Sequence, residues 1–200
     1  MRLILASQSP RREELLRNAG FDFEVRPSGI DEGQLRSGEL PEEFARRNAR
    51  AKALRVAATS SPGSLVLGAD TVVAINGLAL GKPHGPYDAT RMLRLLSGQT
   101  HQVITGICLV RAPDQIETLA HEITFVTFSE LSDDEIRDYI ASHEPYDKAG
   151  AYAIQGLASK FVRYISGCYF NVVGLPVSLL HDILKAWQRP ATNVKNRPVD

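Results

Sequence analysis

Apolar residues along the chain follow two patterns, continuous or alternating runs and stretches with a helical repeat. The runs predict buried strands at residues 2–6, 64–75, 102–111 and 116–128. Apolar positions recurring every three or four residues predict helices at residues 10–19, 41–59, 87–97, 132–142 and 176–187, with mixed loop and strand at 145–175. Strands alternate with helices early and follow one another directly later. This order predicts a mixed α/β sheet flanked by helices.

Three local signals mark the ends of these elements. Ser9 and Pro10 are suited to cap and open the first helix, with Ser as the capping side chain. Asn76-Gly77 is a strong hairpin signal that leads into residues 78–80. Ser132 and Glu135 have the spacing of a capping box, which predicts that a helix begins there.

Composition limits the classes of protein that fit. Two hundred residues suffice for one sizeable core, so we expect a single domain over residues 1–187 and a loose polar tail at 188–200. Basic and acidic residues number 23 each, which argues against nucleic acid or membrane as partners and requires any anion site to be local. No apolar run has the length of a membrane span. Cys108 and Cys168 match no metal spacing, so we expect packed or free thiols in a reducing compartment, the cytoplasm.

The start of the first helix carries charge of the wrong sign. The N-terminal turn of a helix has partial positive charge, yet Arg11 and Arg12 lie there, after Ser7 and Ser9. A bound anion would resolve the conflict, because backbone N–H groups, hydroxyls and guanidinium groups would converge on it. The alternative is a solvated arginine pair whose charge is neutralised by the two glutamates that follow. The residues alone leave both interpretations open.

Asp70 is a carboxylate inside an apolar strand. Asp is unfavourable in strands, and a buried carboxylate must be paired, hydrogen-bonded or metal-bound. A structural carboxylate satisfied by nearby N–H groups is one interpretation, and a catalytic base or metal ligand is the favoured one. Lys52, Lys82 and Lys148 are each typical of a surface when taken singly. Together with the arginines of the first helix they could line a triphosphate cleft.

A second acidic feature, Asp31-Glu32, follows a loop of Pro, Ser and Gly. Mg²⁺ usually takes only one or two protein carboxylates and keeps several waters, so this pair could hold such a cation. Acidic pairs in loops are also commonly just solvated. The five histidines form no ligand cluster in the sequence, and no role is assigned to them.

Taken in order, these segments resemble the Maf family of nucleotide pyrophosphatases over about residues 3–187. The matching blocks are Leu5-Ala6-Ser7-Gln8-Ser9-Pro10-Arg11-Arg12 with Glu14-Leu15-Leu16, Asp31-Glu32, Ala49-x-x-Lys52-Ala53, Gly68-Ala69-Asp70-Thr71-Val72-Val73, Gly81-Lys82-Pro83, Leu96-Ser97-Gly98 with His101-x-Val103-x-Thr105-Gly106, Asp147-Lys148-Ala149-Gly150-Ala151-Tyr152-x-Ile154-Gln155-Gly156, and Asn171-Val172-Val173-Gly174-Leu175-Pro176. So many ordered blocks make the resemblance specific. One departure is Gly167-Cys168-Tyr169, where Gly-Asp-Tyr is more usual, and it lies outside these blocks.

The resemblance implies an elongated mixed α/β fold with two lobes around a central cleft, similar to the inosine triphosphate pyrophosphatases. It implies that Asp70 is the catalytic proton acceptor and that Arg12, Thr71 and Gln155 set the specificity for the base. The block around Gln155 resembles the dTTP/UTP-hydrolysing branch, whereas the 7-methyl-GTP branch has Glu at that position. An amide offers both a donor and an acceptor, so Gln155 can read the O4 and N3–H edge of thymine or uracil.

The expected activity is therefore hydrolysis of dTTP and UTP to the monophosphate and pyrophosphate, with a housecleaning role on modified pyrimidine nucleotides as an extension. A divalent cation (Mg²⁺, Mn²⁺ or Co²⁺) is the expected cofactor, with Glu32 and Asp70 as its ligands. The residues expected to bind phosphate are Ser7, Arg11, Lys52, Lys82 and Lys148. A non-catalytic, nucleotide-binding regulator of septum formation is the competing class. By the same resemblance, a homodimer is the expected assembly.

Overall fold

Seven strands in the described part of the chain form one mixed sheet. The structure, a computed structural model, describes residues 2–31, 33–114 and 116–188. The strands are β1 (Leu3–Leu5), β2 (Phe23–Val25), β3 (Leu65–Ile75), β4 (Leu78–Leu80), β5 (Thr100–Arg111), β6 (Ile116–Phe128) and β7 (Val162–Ser166). Their order is β2-β1-β3-β5-β6-β7, and β4 pairs with β3. β1 is parallel to both β2 and β3, and the remaining pairs are antiparallel.

Helices cover both faces of this sheet. They are α1 (Pro10–Asn18), α2 (Pro41–Ala57), α3 (Pro86–Leu96), α4 (Asp133–Ala141), α5 (Tyr169–Val173) and α6 (Val177–Gln188). Short 3-10 helices lie at Glu144–Asp147, Ala149–Ala151 and Leu157–Phe161. The segment expected to mix loop and strand contains β7, α5 and these 3-10 turns.

Alternation along the strands divides the core between the two faces. In β1, Leu3 and Leu5 belong to the larger core, which also takes the apolar faces of α1, α3, α4 and α6. Ile4 points to the opposite face, where it packs with the alanines of α2. The helix α2 lies very close to the sheet, because glycine occupies positions 68 and 106 beneath it. The mixed α/β sheet flanked by helices is therefore confirmed.

Most boundary signals hold, one expectation needs correction, and one strand was missed. The hairpin after Asn76-Gly77 and the capping box of Ser132 and Glu135 are both present. Ser9 occupies the cap position of α1, but its side chain makes no capping hydrogen bond, so that detail was wrong. β2 was not predicted. Apart from Gln188, which ends α6, the expected tail at 188–200 lies outside the described residues.

None of the helices in the described ranges combines the length and the apolar character that crossing a membrane requires.

Candidate active site

One edge of β3 is partly open. β1 pairs with β3 residues 65–67 and β4 pairs with 73–75 on that edge, while β5 pairs with residues 65–74 on the other. Within the described residues, 68–72 therefore have no strand on the β1 side. A cleft of about 1430 Å³ is lined by this part of β3. Because successive strand residues point to opposite faces, the open edge lets side chains from both faces reach the same cleft.

Asp70 lies in this open stretch and points toward α2. Its Oδ1 accepts a hydrogen bond from Lys52 Nζ at 2.6 Å, and its Oδ2 accepts one from Asn48 Nδ2 at 3.0 Å. Lys52 Nζ also lies 3.4 Å from the carbonyl oxygen of Ala69. All three polar side chains are buried, so the carboxylate has the paired, hydrogen-bonded surroundings that a buried charge requires. These bonds fix the orientation of Asp70 at the wall of the cleft.

Thr71 points to the other face and meets Arg12. Arg12 NH2 donates to Thr71 Oγ1 at 3.0 Å, NH1 donates to Ser7 Oγ at 3.2 Å, and Nε donates to the carbonyl oxygen of Gly174 at 2.8 Å. Arg12 is only 8% exposed. The alternative of a solvated arginine pair is therefore wrong for Arg12. Glu13 is one of the two glutamates that would neutralise such a pair, but it forms an ion pair with Arg17 instead.

A chain of hydrogen bonds continues from Thr71 across the sheet. Its hydroxyl lies 2.9 Å from that of Thr105, which donates to the carbonyl oxygen of Asn171 at 3.1 Å. Asn171 Nδ2 in turn donates to Val103 O at 2.9 Å and to Thr124 Oγ1 at 3.0 Å. The network joins α1, three neighbouring strands and α5, so it fixes the cleft wall that carries Arg12.

The remaining cationic side chains differ in how firmly they are held. Lys148 Nζ donates to Glu144 O at 2.7 Å and to Asp147, and Arg11 NH1 donates to Asp147 at 3.4 Å. Burial acts to raise the pKa of Asp147, but the hydrogen bonds and charges of Lys148 and Arg11 outweigh it and lower that pKa. Lys82 is exposed and, in the part of the chain that the structure describes, forms no side-chain hydrogen bond or ion pair.

All the described residues that were expected to act on substrate line this one cleft. They are Ser7, Arg11, Arg12, Lys52, Asp70, Thr71, Lys82, Lys148 and Gln155. Lys52 contacts Asp70 directly, and Ser7 is engaged with Arg12, so neither side chain is simply presented to solvent. Asp31 also lines the cleft, but Glu32, the expected second metal ligand, lies outside the described residues. The structure therefore brings these residues to one cleft. The role of each in catalysis or binding stays a prediction.

Asn48, Thr105 and Asn171 are site residues that the sequence interpretation did not assign. Asn48 precedes Lys52 by four residues, a spacing that places both on one face of a helix. That spacing could have identified it as a second partner for a carboxylate opposite α2. The other two lie within motif blocks, but nothing local in sequence shows that they bond to each other.

Metal-binding side chains do not form a dense cluster here. Over the described residues, no three His, Cys, Asp or Glu side chains come together as a potential metal site.

Cys108 and Cys168 are both free, as expected. Burial, followed by the charge of Glu117, raises the pKa of the Cys108 thiol to about 12, which makes it an inert core residue.

Known protein sequences match this chain over nearly its whole length. The sequence model of the family described as Maf-like protein matches residues 2–187. A dTTP/UTP pyrophosphatase of Koribacter versatilis is 50% identical over 92% of this chain and 94% of its own. A dTTP/UTP pyrophosphatase of Desulforamulus reducens is 47% identical over 92% of this chain and 95% of its own.

Among solved structures, a HAM1 protein from Coxiella burnetii is 17% identical, with a TM-score of 0.49, over 93% of this chain and 99% of that chain. The family match spans nearly the whole of the described sequence, and the relatives share about half of their residues with it. The resemblance noted from the motifs is thereby confirmed. The chain belongs to the Maf-like protein family.

Proposed function

We propose that this chain is a nucleoside triphosphate pyrophosphatase that hydrolyses dTTP and UTP to the monophosphate and pyrophosphate. The observation that carries the proposal is Asp70, a buried carboxylate held by Asn48 and Lys52 on the wall of a cleft lined with cations. The names of relatives that match over more than nine-tenths of the chain support the same substrates.

In the proposed reaction, Asp70 accepts a proton from the attacking water. A bond forms between the water oxygen and the α-phosphorus, and the bond from that phosphorus to the bridging oxygen breaks. The electron pair of the broken bond leaves with pyrophosphate. The two hydrogen bonds to Asp70 support this role, because a general base must be held in a defined position relative to the water.

Cationic side chains in the cleft would neutralise the phosphate charge, since the whole chain has zero net charge. The exposed Lys82 can turn toward a phosphate without breaking a bond to a described residue. Arg11 and Lys148 share Asp147, and a triphosphate would compete with that single carboxylate for both cations. Ser7 and the N-terminal turn of α1 complete the proposed cradle, in which backbone N–H groups favour an anion.

A divalent cation (Mg²⁺, Mn²⁺ or Co²⁺) fits this cleft as the cofactor. Mg²⁺ needs only one or two protein carboxylates when substrate phosphates and waters supply its other ligands. Asp70 provides such a carboxylate in a cleft of sufficient volume, and Glu32 is the proposed second ligand. The cation would neutralise charge that develops on the phosphate oxygens.

We assign base recognition to Gln155, together with Arg12 and Thr71, which line the same cleft. In one orientation the amide of Gln155 donates to O4 and accepts from N3–H of thymine or uracil, and only the opposite orientation matches cytosine. A complex that holds the amide in the first orientation discriminates against cytosine by roughly tenfold or more, because a mismatched buried polar pair costs about 1–3 kcal/mol per group. Modified pyrimidine triphosphates with an unchanged O4 and N3–H edge would also be accepted.

The test is to incubate the wild-type chain with dTTP, UTP, CTP, ATP and GTP and each of the three cations, and to identify the products. The expected result is equimolar monophosphate and pyrophosphate, with kcat/KM for dTTP and UTP about tenfold or more above the other three. Release of single phosphate, or preference for a purine, contradicts the proposal. Tight dTTP binding without any turnover would instead favour a nucleotide-binding regulator of septum formation.

The assembly and the cellular location are also part of the proposal. We assign a cytoplasmic location, consistent with two free cysteines and a nucleotide substrate, and a homodimer as the assembly. Sedimentation of the purified chain tests the dimer, and a monomer at assay concentration contradicts it.

A further inference from the structure

Gln155 is positioned through its backbone. It lies in a turn in which the N–H of Gly156 donates to the carbonyl oxygen of Ala153 at 3.2 Å. Its side chain is exposed toward the cleft and makes no hydrogen bond or ion pair across the described ranges. Whatever fixes this turn therefore fixes where the amide meets a base.

The Glu144 carboxylate fixes one end of that turn. Its Oε2 accepts the backbone N–H of Leu157 at 2.9 Å, two residues beyond Gln155. A Cβ added to Gly156 would lie 2.2 Å from Glu144 Oε1, so the carboxylate lies against the bare Cα of the intervening residue. Glycine at 156 thus allows a close approach that any side chain would prevent.

The same carboxylate is anchored to the core. Its Oε1 accepts the hydroxyl of Tyr139 at 2.9 Å, and Tyr139 is a buried residue of α4. Burial and, after it, the hydrogen bond to Glu144 raise the pKa of Tyr139, so its hydroxyl stays protonated and continues to donate. Glu144 therefore connects a rigid helix to the turn that carries Gln155.

We propose that Glu144 is a positioning residue that holds the Gln155 turn in place and thereby sets the preference of the cleft for the uracil and thymine edge. This inference rests on the proposed function. Glu144 does not line the cleft, so it acts on the base only through the turn. Loss of the carboxylate should reduce discrimination between bases more than it reduces phosphate chemistry.

Glu144→Gln tests the inference with almost no change in shape. Two donors, the Leu157 N–H and the Tyr139 O–H, point at the carboxylate, and the Gln side chain has one acceptor oxygen. Its oxygen can accept from Leu157, and its NH₂ group can only donate to the Tyr139 hydroxyl oxygen, so two charge-assisted bonds are replaced by weaker neutral ones. We expect the ratio of kcat/KM for UTP over CTP to fall by about tenfold. The control Glu135→Gln removes a carboxylate that accepts hydrogen bonds from Ser132 at the start of α4, and it should keep the wild-type ratio.

A second pair of variants removes the other partner of the bond. Leu157 is the first residue of its 3-10 helix, and Gly156 before it is extended, so proline is compatible with that position. Leu157→Pro deletes the N–H that Glu144 accepts, whereas Leu157→Ala shortens the same exposed side chain and keeps the N–H. Leu157→Pro should lose selectivity as Glu144→Gln does, and Leu157→Ala should not.

The outcomes separate this inference from the proposed function. A wild type that does not hydrolyse UTP, or that hydrolyses UTP and CTP equally well, defeats the proposed function itself. With an active wild type, a lower UTP-to-CTP ratio in Glu144→Gln and Leu157→Pro, but in neither control, supports the positioning role. An unchanged ratio in Leu157→Pro, or an equal loss for all nucleotides in both test variants, overturns it, because a purely structural defect lowers every rate alike.

Discussion

At the scale of single residues, the residues proposed for chemistry and for recognition are adjacent on one strand. Asp70 points to α2 and bonds with Lys52, whereas Thr71 points to the opposite face and bonds with Arg12. Strand alternation would normally keep such neighbours apart on the two sides of a sheet. They share one cleft because β3 has no strand partner along that edge at 68–72 among the described residues.

His101 is a buried residue that the proposed reaction does not use. Its Nε2 lies 2.7 Å from the hydroxyl of Tyr152, and its ring meets Phe128 and Tyr152 edge-on. No partner for its Nδ1 occurs in the described ranges. Burial lowers the pKa of His101 to about 4, so the imidazole is neutral in the folded chain at neutral pH.

This gives a prediction for stability against pH. The pKa of His101 is lower in the folded chain than in the unfolded one. The contribution of this residue to the free energy of unfolding is therefore full above about pH 6.5, and it is lost as the pH falls toward 4. Between pH 7.5 and 5.5 the free energy of unfolding should fall by about 1 kcal/mol more in the wild type than in His101→Gln. Urea unfolding at the two pH values measures both losses. Equal losses in the two proteins would show that His101 titrates alike in both states.

At the scale of elements, the approach of α2 to the sheet depends on two glycines. A Cβ at Gly68 would lie 2.1 Å from the carbonyl oxygen of Ala49, and one at Gly106 would lie 2.5 Å from that of Ala45. These are backbone atoms of α2, so the helix itself would have to move. Because α2 also carries Asn48 and Lys52, its distance from β3 sets the surroundings of Asp70.

Gly68→Ala should therefore disturb both stability and turnover. Overpacking of this kind costs typically about 1–3 kcal/mol, and movement of α2 should lengthen the hydrogen bonds that Lys52 and Asn48 donate to Asp70. The matched control is Gly81→Ala, where an added Cβ meets no atom within 4 Å. Urea unfolding of both variants gives the comparison. If Gly68→Ala is as stable as Gly81→Ala, the close contact between α2 and β3 is not a constraint.

Local signals in the sequence identified elements that carry a local pattern or motif better than an element defined only by distant pairing. Asn76-Gly77 and the pair Ser132 and Glu135 fix a turn and a helix start through residues only a few positions apart. β2 is three residues long, with Glu24 at its centre, and becomes a strand only because it pairs with β1. Pairing across about twenty residues leaves no local pattern, so β2 could not be predicted this way.

At the scale of the whole molecule, the chain has zero net charge, yet several of its Lys and Arg side chains line one cleft. Asp70 could be identified from sequence because an acid is anomalous in an apolar run, but its partners on α2 depend on tertiary packing. Arg12 was identified as misplaced at a helix start, yet its bonds to Ser7, Thr71 and Gly174 join segments far apart in sequence. The sequence thus showed which residues were anomalous, and the fold showed what they bond to.

The most direct test of the account is the rate of pyrophosphate release from dTTP by Asp70→Asn. Asn preserves the size of the side chain but cannot act as a base at neutral pH, so turnover should fall by at least about 10²-fold. Affinity for dTTP, measured by calorimetry, and cooperative urea unfolding should be retained, which separates lost chemistry from lost structure. Near-wild-type pyrophosphate release by Asp70→Asn would contradict the assignment of Asp70 as the catalytic base.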